Sequence, residues 1–269
     1  MTFLNFFMNQ RAFSVMGNIV IVNFSKDVKK QEKLKFAKEI LSKNKSVTTV
    51  LEKSGNFKGR LRKQETKVLG GVKTKEVLYK ENGCIFRFNI DETYFSPRLS
   101  NERKEISNLI KKNEEVFVGF AGVAPFSIVI AKNSLAKKVY SNELNRKANK
   151  YGEENVVRNK LKEKVEIISG DFKKVALKLK SKRKKFDVIV MPRPQLKDSF
   201  LSEALSLSKK GTRIYYYDFC KIEEINKKVD MVEEVARKNK RKIKITKVKN
   251  AGEIAPYKAR IRIDFEVKN

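Results

Sequence analysis

From Glu115 to the end of the chain, apolar runs of strand length alternate with helical stretches, and this alternation restricts the fold more than any other feature. The run "EEVFV" leads through a Gly-containing turn into the apolar helix "PFSIVIAK". "KKVYSNEL", "KVEIISGD", "KFDVIVMP" and "GTRIYYYDF" follow as strands with helices between most of them, whereas only a loop separates "RKIKITKVK" from "ARIRIDFEV". The pattern predicts an α/β fold, a doubly wound, Rossmann-like parallel sheet whose terminal hairpin makes one edge antiparallel. Tyr215 to Tyr217 are expected in a buried strand with one ring facing outward.

Upstream, short β-rich runs between Phe13 and Ile90 surround one helical stretch, "KDVKKQEKLKFAKEILSKN", and read as a small α+β domain. The expected organisation is a small RNA- or substrate-recognition domain over 1–95, a connecting turn and helix over 96–112, and the doubly wound domain over 113–269.

Lys and Arg number 62 against 31 Asp and Glu, and a net charge of +31 repels itself unless a polyanion or counterions screen it. Nucleic acid is the leading partner; a lysine-rich proteome is the other source of such charge. The run "KKVALKLKSKRKK" reads first as a solvated helix face and second as an RNA-binding stripe. With no histidine, a Ser-His triad, a histidine base and every His-ligated metal site are excluded. Cys84 and Cys220 are too few for a disulfide framework or a four-cysteine zinc site. No basic leader precedes an apolar secretory run and no stretch reaches the roughly 18 apolar residues of a membrane span, so a cytoplasmic protein without a membrane partner is expected.

In a doubly wound sheet the turn after the first strand approaches a nucleotide-like ligand, and "GFAGVAPFS", Gly119 to Ser127, occupies that place. A tight turn formed only for packing would use the same residues. Glu143 follows about 20 residues later at the end of the second strand, where a carboxylate can accept hydrogen bonds from both ribose hydroxyls. Asp171, after the third strand, can face an adenine amine, cap the helix beginning near Phe172, or do both. A Walker lysine and a second Gly-rich grip are missing, so the set fits an adenosyl group better than a phosphate.

The strings "GNIVIV", "TVLEKSG", "YKENGCIFRFNIDETYFSPRLSNER", "FAGVAPFSI", "ENVVRNKL", "GTRIYYYDF" and "APYKARIRIDFEV" together resemble the archaeal and eukaryotic tRNA (guanine-37-N1)-methyltransferases from about Phe13 to Val267. The likeness is to a shortened form lacking the family's amino-terminal elbow-binding domain, with the bifunctional wyosine-pathway branch as a variant. It implies an S-adenosylmethionine methyltransferase domain acting on the anticodon-loop region of tRNA, with no metal required because the sulfonium is already an activated leaving group. Cofactor contacts are expected from Phe120, Ala121, Gly122, Val123 and Pro125 in the turn, Glu143 and Leu144 after the second strand, Asp171 and Phe172 after the third, and Pro192 after the fourth.

By the same resemblance, Glu102 falls on the family's general base for the guanine N1 proton, and a carboxylate suits that role in a chain without histidine. Arg98 and Arg62 are expected to stabilise charge developing on the ring, and Arg98, Arg103 and Arg193 to contact RNA. From the residues alone, Glu102 equally suits a helix N-terminus and the arginines suit ordinary ion pairs. Three departures stand out. Gly119 replaces an Asp ahead of the Phe of "FAG", Ala124 replaces the last Gly of "AGVGP", and Pro192-Arg193 replaces an Asn-containing Pro motif. The first implies a lost ligand contact, the second lost backbone freedom, and the third an altered base selection. Methylation of the wyosine precursor, alone or in addition, and a noncatalytic RNA-binding protein are the alternatives. Aminocarboxypropyl transfer is disfavoured by Arg98 and Leu99, where such enzymes carry Gly-Asn.

Overall fold

The computed structural model describes residues 13–55 and 64–269. The Phe-rich start and Arg62 lie outside them. Two compact units emerge, one running up to Glu81 and again over Ile85–Pro97, the other comprising Asn82–Cys84 and Arg98–Asn269.

The first unit holds β1 (Phe13–Met16), β2 (Ile19–Val22), α1 (Lys30–Lys43), β3 (Thr49–Lys53) and β4 (Thr66–Gly71), followed by the hairpin strands β5 (Glu76–Glu81) and β6 (Cys84–Asn89). The four-stranded sheet has the order β1-β2-β3-β4, with only the β2–β3 pair parallel. That pair needs a crossover, and α1 supplies it, setting Phe36, Ala37 and Ile40 against Val20, Val22 and Val50. Gly17 turns β1 into β2 with φ +58°, and a Cβ there would lie 1.9 Å from the Leu78 carbonyl oxygen.

The second unit runs α2 (Ser100–Leu109), β7 (Glu115–Val118), α3 (Pro125–Asn133), β8 (Lys138–Glu143), α4 (Arg146–Arg158), β9 (Val165–Ser169), α5 (Phe172–Ser181), β10 (Phe186–Met191), α6 (Leu201–Ser206), β11 (Ser208–Lys221), α7 (Ile225–Lys238), β12 (Ile243–Ala255) and β13 (Lys258–Val267). Its seven strands lie in the order β12-β13-β11-β10-β7-β8-β9. β13 is antiparallel to both β11 and β12, and the other pairs are parallel, which is the arrangement that the alternation predicts. Strand order reverses at β7, between β8 and β10, and such a switch point opens a ligand crevice at the carboxyl edge. α2, expected as a connector, belongs to this unit and packs on α3.

Period-2 alternation makes β13 two-faced. Ala259, Ile261, Ile263 and Phe265 join the core with Val232 and Ala236 of α7, while Arg260, Arg262 and Asp264 project to the other side. Each fully buried Ile or Phe there contributes about 1.5–3 kcal/mol. Tyr215, Tyr216 and Tyr217 are all buried, at 4%, 0% and 0% exposure, so the expected outward ring is corrected. β13 and β12 extend the sheet past β11, which leaves β11 an interior strand covered on both faces.

Candidate active site

After β7 the chain makes a tight turn in which Phe120, Gly122 and Ala124 have φ of +54°, +57° and +65°. The turn is fixed to both neighbouring strands, since the Gly119 amide donates to the Val190 carbonyl at 3.0 Å and the Ala121 amide to the Asn142 carbonyl at 2.9 Å. Pro125, at the first helical position, starts α3 with the φ that a helix requires. Ala124 keeps the left-handed conformation that a glycine would adopt freely, at a cost of about 1–2 kcal/mol. The anticipated loss of backbone freedom therefore does not reroute this turn. Val123 is buried within it.

Glu143, at the end of β8, closes the turn from below. Its Oε2 accepts from the Gly122 amide at 2.8 Å and its Oε1 from the Asn145 amide at 2.7 Å. Burial raises the Glu143 carboxyl above its ordinary range, against the pull of the Asn145, Gly122 and Leu144 backbone amides. Each oxygen uses one lone pair in this way, leaving accepting capacity for two hydroxyl donors. Close by, Asn149 gives its side-chain amide to the Glu143 and Asn145 carbonyls and to Ser169 Oγ, while its Oδ1 is buried with no partner among the described residues. Leu144 is half-buried beyond the strand. This donor and acceptor set fits an adenosine.

The Asp171 side chain accepts from the Lys173 amide at 3.0 Å, which is the helix-capping reading. Behind it Phe172 stacks on Phe120, with ring centres 5.0 Å apart and 13° between planes, and Phe200 meets both rings edge-on. Gly119 is explained by this packing, because a Cβ at 119 would lie 2.5 Å from Phe172 Cε2. Pro192 is half-buried just past β10. Arg193 turns inward, 3% exposed, donating to Tyr216 Oη and to the Pro194 and Leu196 carbonyls and pairing with Asp218 at 3.3 Å. The RNA contact expected of Arg193 gives way to a bracing role for the loop.

Glu102 lies in the first turn of α2 and is buried. Its Oε2 accepts from Tyr217 Oη at 2.8 Å and Arg262 Nη1 at 2.7 Å, and its Oε1 pairs with Lys249 Nζ at 2.8 Å. Arg262, fully buried, also grips Asp264 through Nε and Nη2 at 2.7 and 2.9 Å and reaches Glu105 at 2.7 Å. Lys247 and Lys249 complete the pairing of Glu105. Burial and then the charge of Glu102 push the Tyr217 hydroxyl well above its usual range, so it stays protonated and donates to Glu102. Tyr217 also packs edge-on against Phe126 at the head of α3, with Arg103 over the same ring at 5.7 Å. One tyrosine thus touches both the Glu102 cluster and the helix that follows the Gly turn. Arg98 is exposed in the short 3-10 turn before α2.

Tyr217, Arg262, Lys249, Glu105 and Asp264 form no part of the sequence-derived site. For Arg262 and Asp264 the signal is the alternation "RIRID", which places charges on a single face of a strand that the sheet makes internal. Among the described residues no group of His, Cys, Asp and Glu could hold a metal ion, and no helix is long and apolar enough to cross a membrane.

The family described as the TRM5/TYW2 methyltransferase domain matches residues 77–245, and that described as the TYW2 N-terminal domain matches 8–74. The chain is 32% identical over 257 residues to the tRNA (guanine(37)-N(1))-methyltransferase Trm5b of Pyrococcus abyssi, covering 95% of this chain and 74% of that one. The crystal structure of that relative gives a TM-score of 0.83 at 31% identity, covering 96% and 75% of the two chains. The tRNA (guanine(37)-N(1))/4-demethylwyosine(37)-methyltransferase Taw22 of Nanoarchaeum equitans is 32% identical over 303 residues, covering 94% and 99%. The structure of Methanocaldococcus jannaschii Trm5 in complex with adenosine gives a TM-score of 0.80 at 28% identity, covering 96% and 74%.

Proposed function

The chain belongs to the TRM5/TYW2 methyltransferase family, and on that footing we propose that it transfers a methyl group from S-adenosylmethionine to N1 of guanosine-37 in the anticodon loop of tRNA. Glu143 is suited to hold the ribose hydroxyls, and Asp171 to add an adenine contact to its capping role. Phe120, Phe172 and the Gly turn supply a close-fitting wall. When bound there, the sulfonium supplies the activated methyl group. Glu102 takes the N1 proton of guanine, leaving the nitrogen lone pair free to accept the methyl carbon. Tyr217, Arg262 and Lys249 orient that carboxylate, and the exposure of Arg98 just before α2 supports a contact to the O6 or phosphate oxygens of the RNA.

The observation that carries this reading is the position of Tyr217, which hydrogen-bonds Glu102 and packs on the first turn of α3. It links the proposed base to the proposed methyl-donor site within one unit. A second activity, methylation of the tricyclic wyosine precursor at the same position, is favoured by the match to almost the full length of the Nanoarchaeum relative and by Pro192-Arg193 in place of an Asn-containing motif.

The test is transfer of labelled methyl to tRNA carrying guanosine-37 and, in parallel, to tRNA carrying the 4-demethylated tricyclic base, with the product nucleotide mapped. Label on N1 of guanosine that is lost in Glu102→Gln supports the main reading, and label on the tricyclic base alone selects the second. Cofactor binding without transfer to either RNA would leave the noncatalytic alternative.

A further inference from the structure

The segment 172–185 holds eight Lys and Arg residues and no Asp or Glu. Within it, α5 buries Phe172, Val175 and Ala176 in the core. Two of the eight cations are committed to carboxylates, Lys173 to Asp198 at 2.5 Å and Lys184 to Glu115 at 2.9 Å, and Lys185 donates to the Ser206 carbonyl at 2.6 Å. Lys174, Lys178, Lys180, Lys182 and Arg183 are exposed and have no carboxylate within ion-pair distance among the described residues. Lys174 and Lys178 align along one ridge of α5 and Lys182, its C-cap, follows at the same spacing of four, at which like charges destabilise an isolated helix by about 0.2–0.5 kcal/mol per pair. The crowding is felt by Lys185, which burial and then the charges of Arg241 and Lys180 hold below the ordinary lysine range. A solvated helix face would be expected to intersperse acidic residues and relieve this repulsion.

We infer that the ridge Lys174–Lys178–Lys182, with Lys180 and Arg183 beside it, is a docking face for the phosphate backbone of tRNA. The inference rests on the proposed function for its partner. α5 begins at Asp171, on the same sheet edge as the Gly turn and Glu143, so the ridge starts beside the candidate cofactor site and leads away from it. Phosphates neutralise the ridge without specifying sequence, and contacts of this kind set register and affinity rather than base choice. A bilayer is the less suitable polyanion, because α5 packs Phe172, Val175 and Ala176 inside the protein and leaves only Leu177 of its apolar side chains largely exposed for insertion.

The experiment compares wild type with the triple variant Lys174→Gln/Lys178→Gln/Lys182→Gln and with a charge-matched control on exposed residues leading into β7, β8 and β9, Lys112→Gln/Lys137→Gln/Lys162→Gln. tRNA affinity is titrated between 50 and 200 mM salt, alongside thermal melting and S-adenosylhomocysteine binding. Three lost phosphate contacts should reduce the salt slope by roughly 2, so the affinity advantage of wild type over the ridge variant falls about 16-fold across that range. The variant's kcat at saturating tRNA and cofactor binding should match wild type, and its melting temperature should be no lower, because the repulsion along the ridge is relieved. An unchanged slope, or an equal loss in the control triple, would overturn the inference. So would tighter binding of wild type to anionic vesicles than to tRNA with the same dependence on the ridge. If wild type methylates no tRNA, the proposed function has failed; if it does and the ridge variant is indistinguishable, only the docking face has.

Discussion

Arg262→Met removes the cation at the centre of the Glu102 cluster while keeping comparable length and bulk. In the wild-type protein Arg262 is fully buried and hydrogen-bonds Glu102, Glu105 and Asp264, each at 2.7 Å. Removing one partner of a buried ion pair costs roughly 3–5 kcal/mol, because the charges left behind lack both water and a counter-ion. Lys249 still pairs Glu102 and Glu105, and Lys247 pairs Glu105, which places the expectation near the lower end, at about 3 kcal/mol. For a chain of this size that corresponds to a fall in Tm of about 6–12 °C.

The pH dependence has a definite sign. Burial raises the Glu105 carboxyl, but hydrogen bonds from Arg262, Lys249 and Lys247 more than offset it and lower it from 4.5 to about 2. A depressed carboxylate stabilises the fold above its ordinary value, and that contribution is lost as pH falls through the window toward 2. Asp264, which burial raises even with Arg262 present, takes up a proton in the folded variant more readily still. The deficit of Arg262→Met should therefore shrink between pH 7 and pH 4. Urea unfolding followed by far-UV circular dichroism at both values measures it. A variant within about 0.5 kcal/mol of wild type at pH 7, or a deficit that widens at pH 4, would refute the cluster as a source of stability.

Gly119→Ala should destabilise by about 1–3 kcal/mol, since its Cβ would collide with Phe172, and Phe172→Leu in the same chain should restore part of the loss in a thermal melt. Glu143→Gln should weaken S-adenosylhomocysteine binding at least about tenfold in calorimetry, given the loss of a charged acceptor for two hydroxyls. Because burial raises the Glu143 carboxyl, wild-type binding should also begin to weaken on acidification at a higher pH than an ordinary glutamate would dictate, whereas the Gln variant should stay flat. Arg193→Ala leaves Asp218 with Lys228 as its remaining ion-pair partner and frees the Pro194 and Leu196 carbonyls, so the 192–199 loop should be cut faster by protease while β10 and β11 remain protected.

The sheet was legible because its signals are local. Alternation fixes which segments pair, the loop between "RKIKITKVK" and "ARIRIDFEV" forces a hairpin, and the Gly turn to Glu143 spacing marks the switch point. What was hidden depends on contacts between distant residues. Arg262 meets Glu102 across 160 positions, and no periodicity announces which helix will cover a charged strand face. Gly119 reads as a departure until Phe172, 53 residues later, is seen to fill its side-chain space. Arg193 follows a strand end and could face either way; its four inward partners, not its position in the sequence, decide the direction.

The composition of the cluster bears on the proposed chemistry. Glu102, Glu105 and Asp264 are matched by Arg262, Lys247 and Lys249, so the resting group carries no net charge. In the proposed reaction Glu102 accepts the proton, three cations then face two carboxylates, and one positive charge is left to face the purine that lost the same proton. That positive charge attracts the ionised ring, which offsets part of the attraction that Arg262 and Lys249 lose when Glu102 is neutralised. A base flanked only by carboxylates would gain no such attraction. By this reasoning the C-terminal hairpin, which carries Lys247, Lys249, Arg262 and Asp264, acts with Glu102 as one unit, although the sequence presents it as no more than a sheet edge.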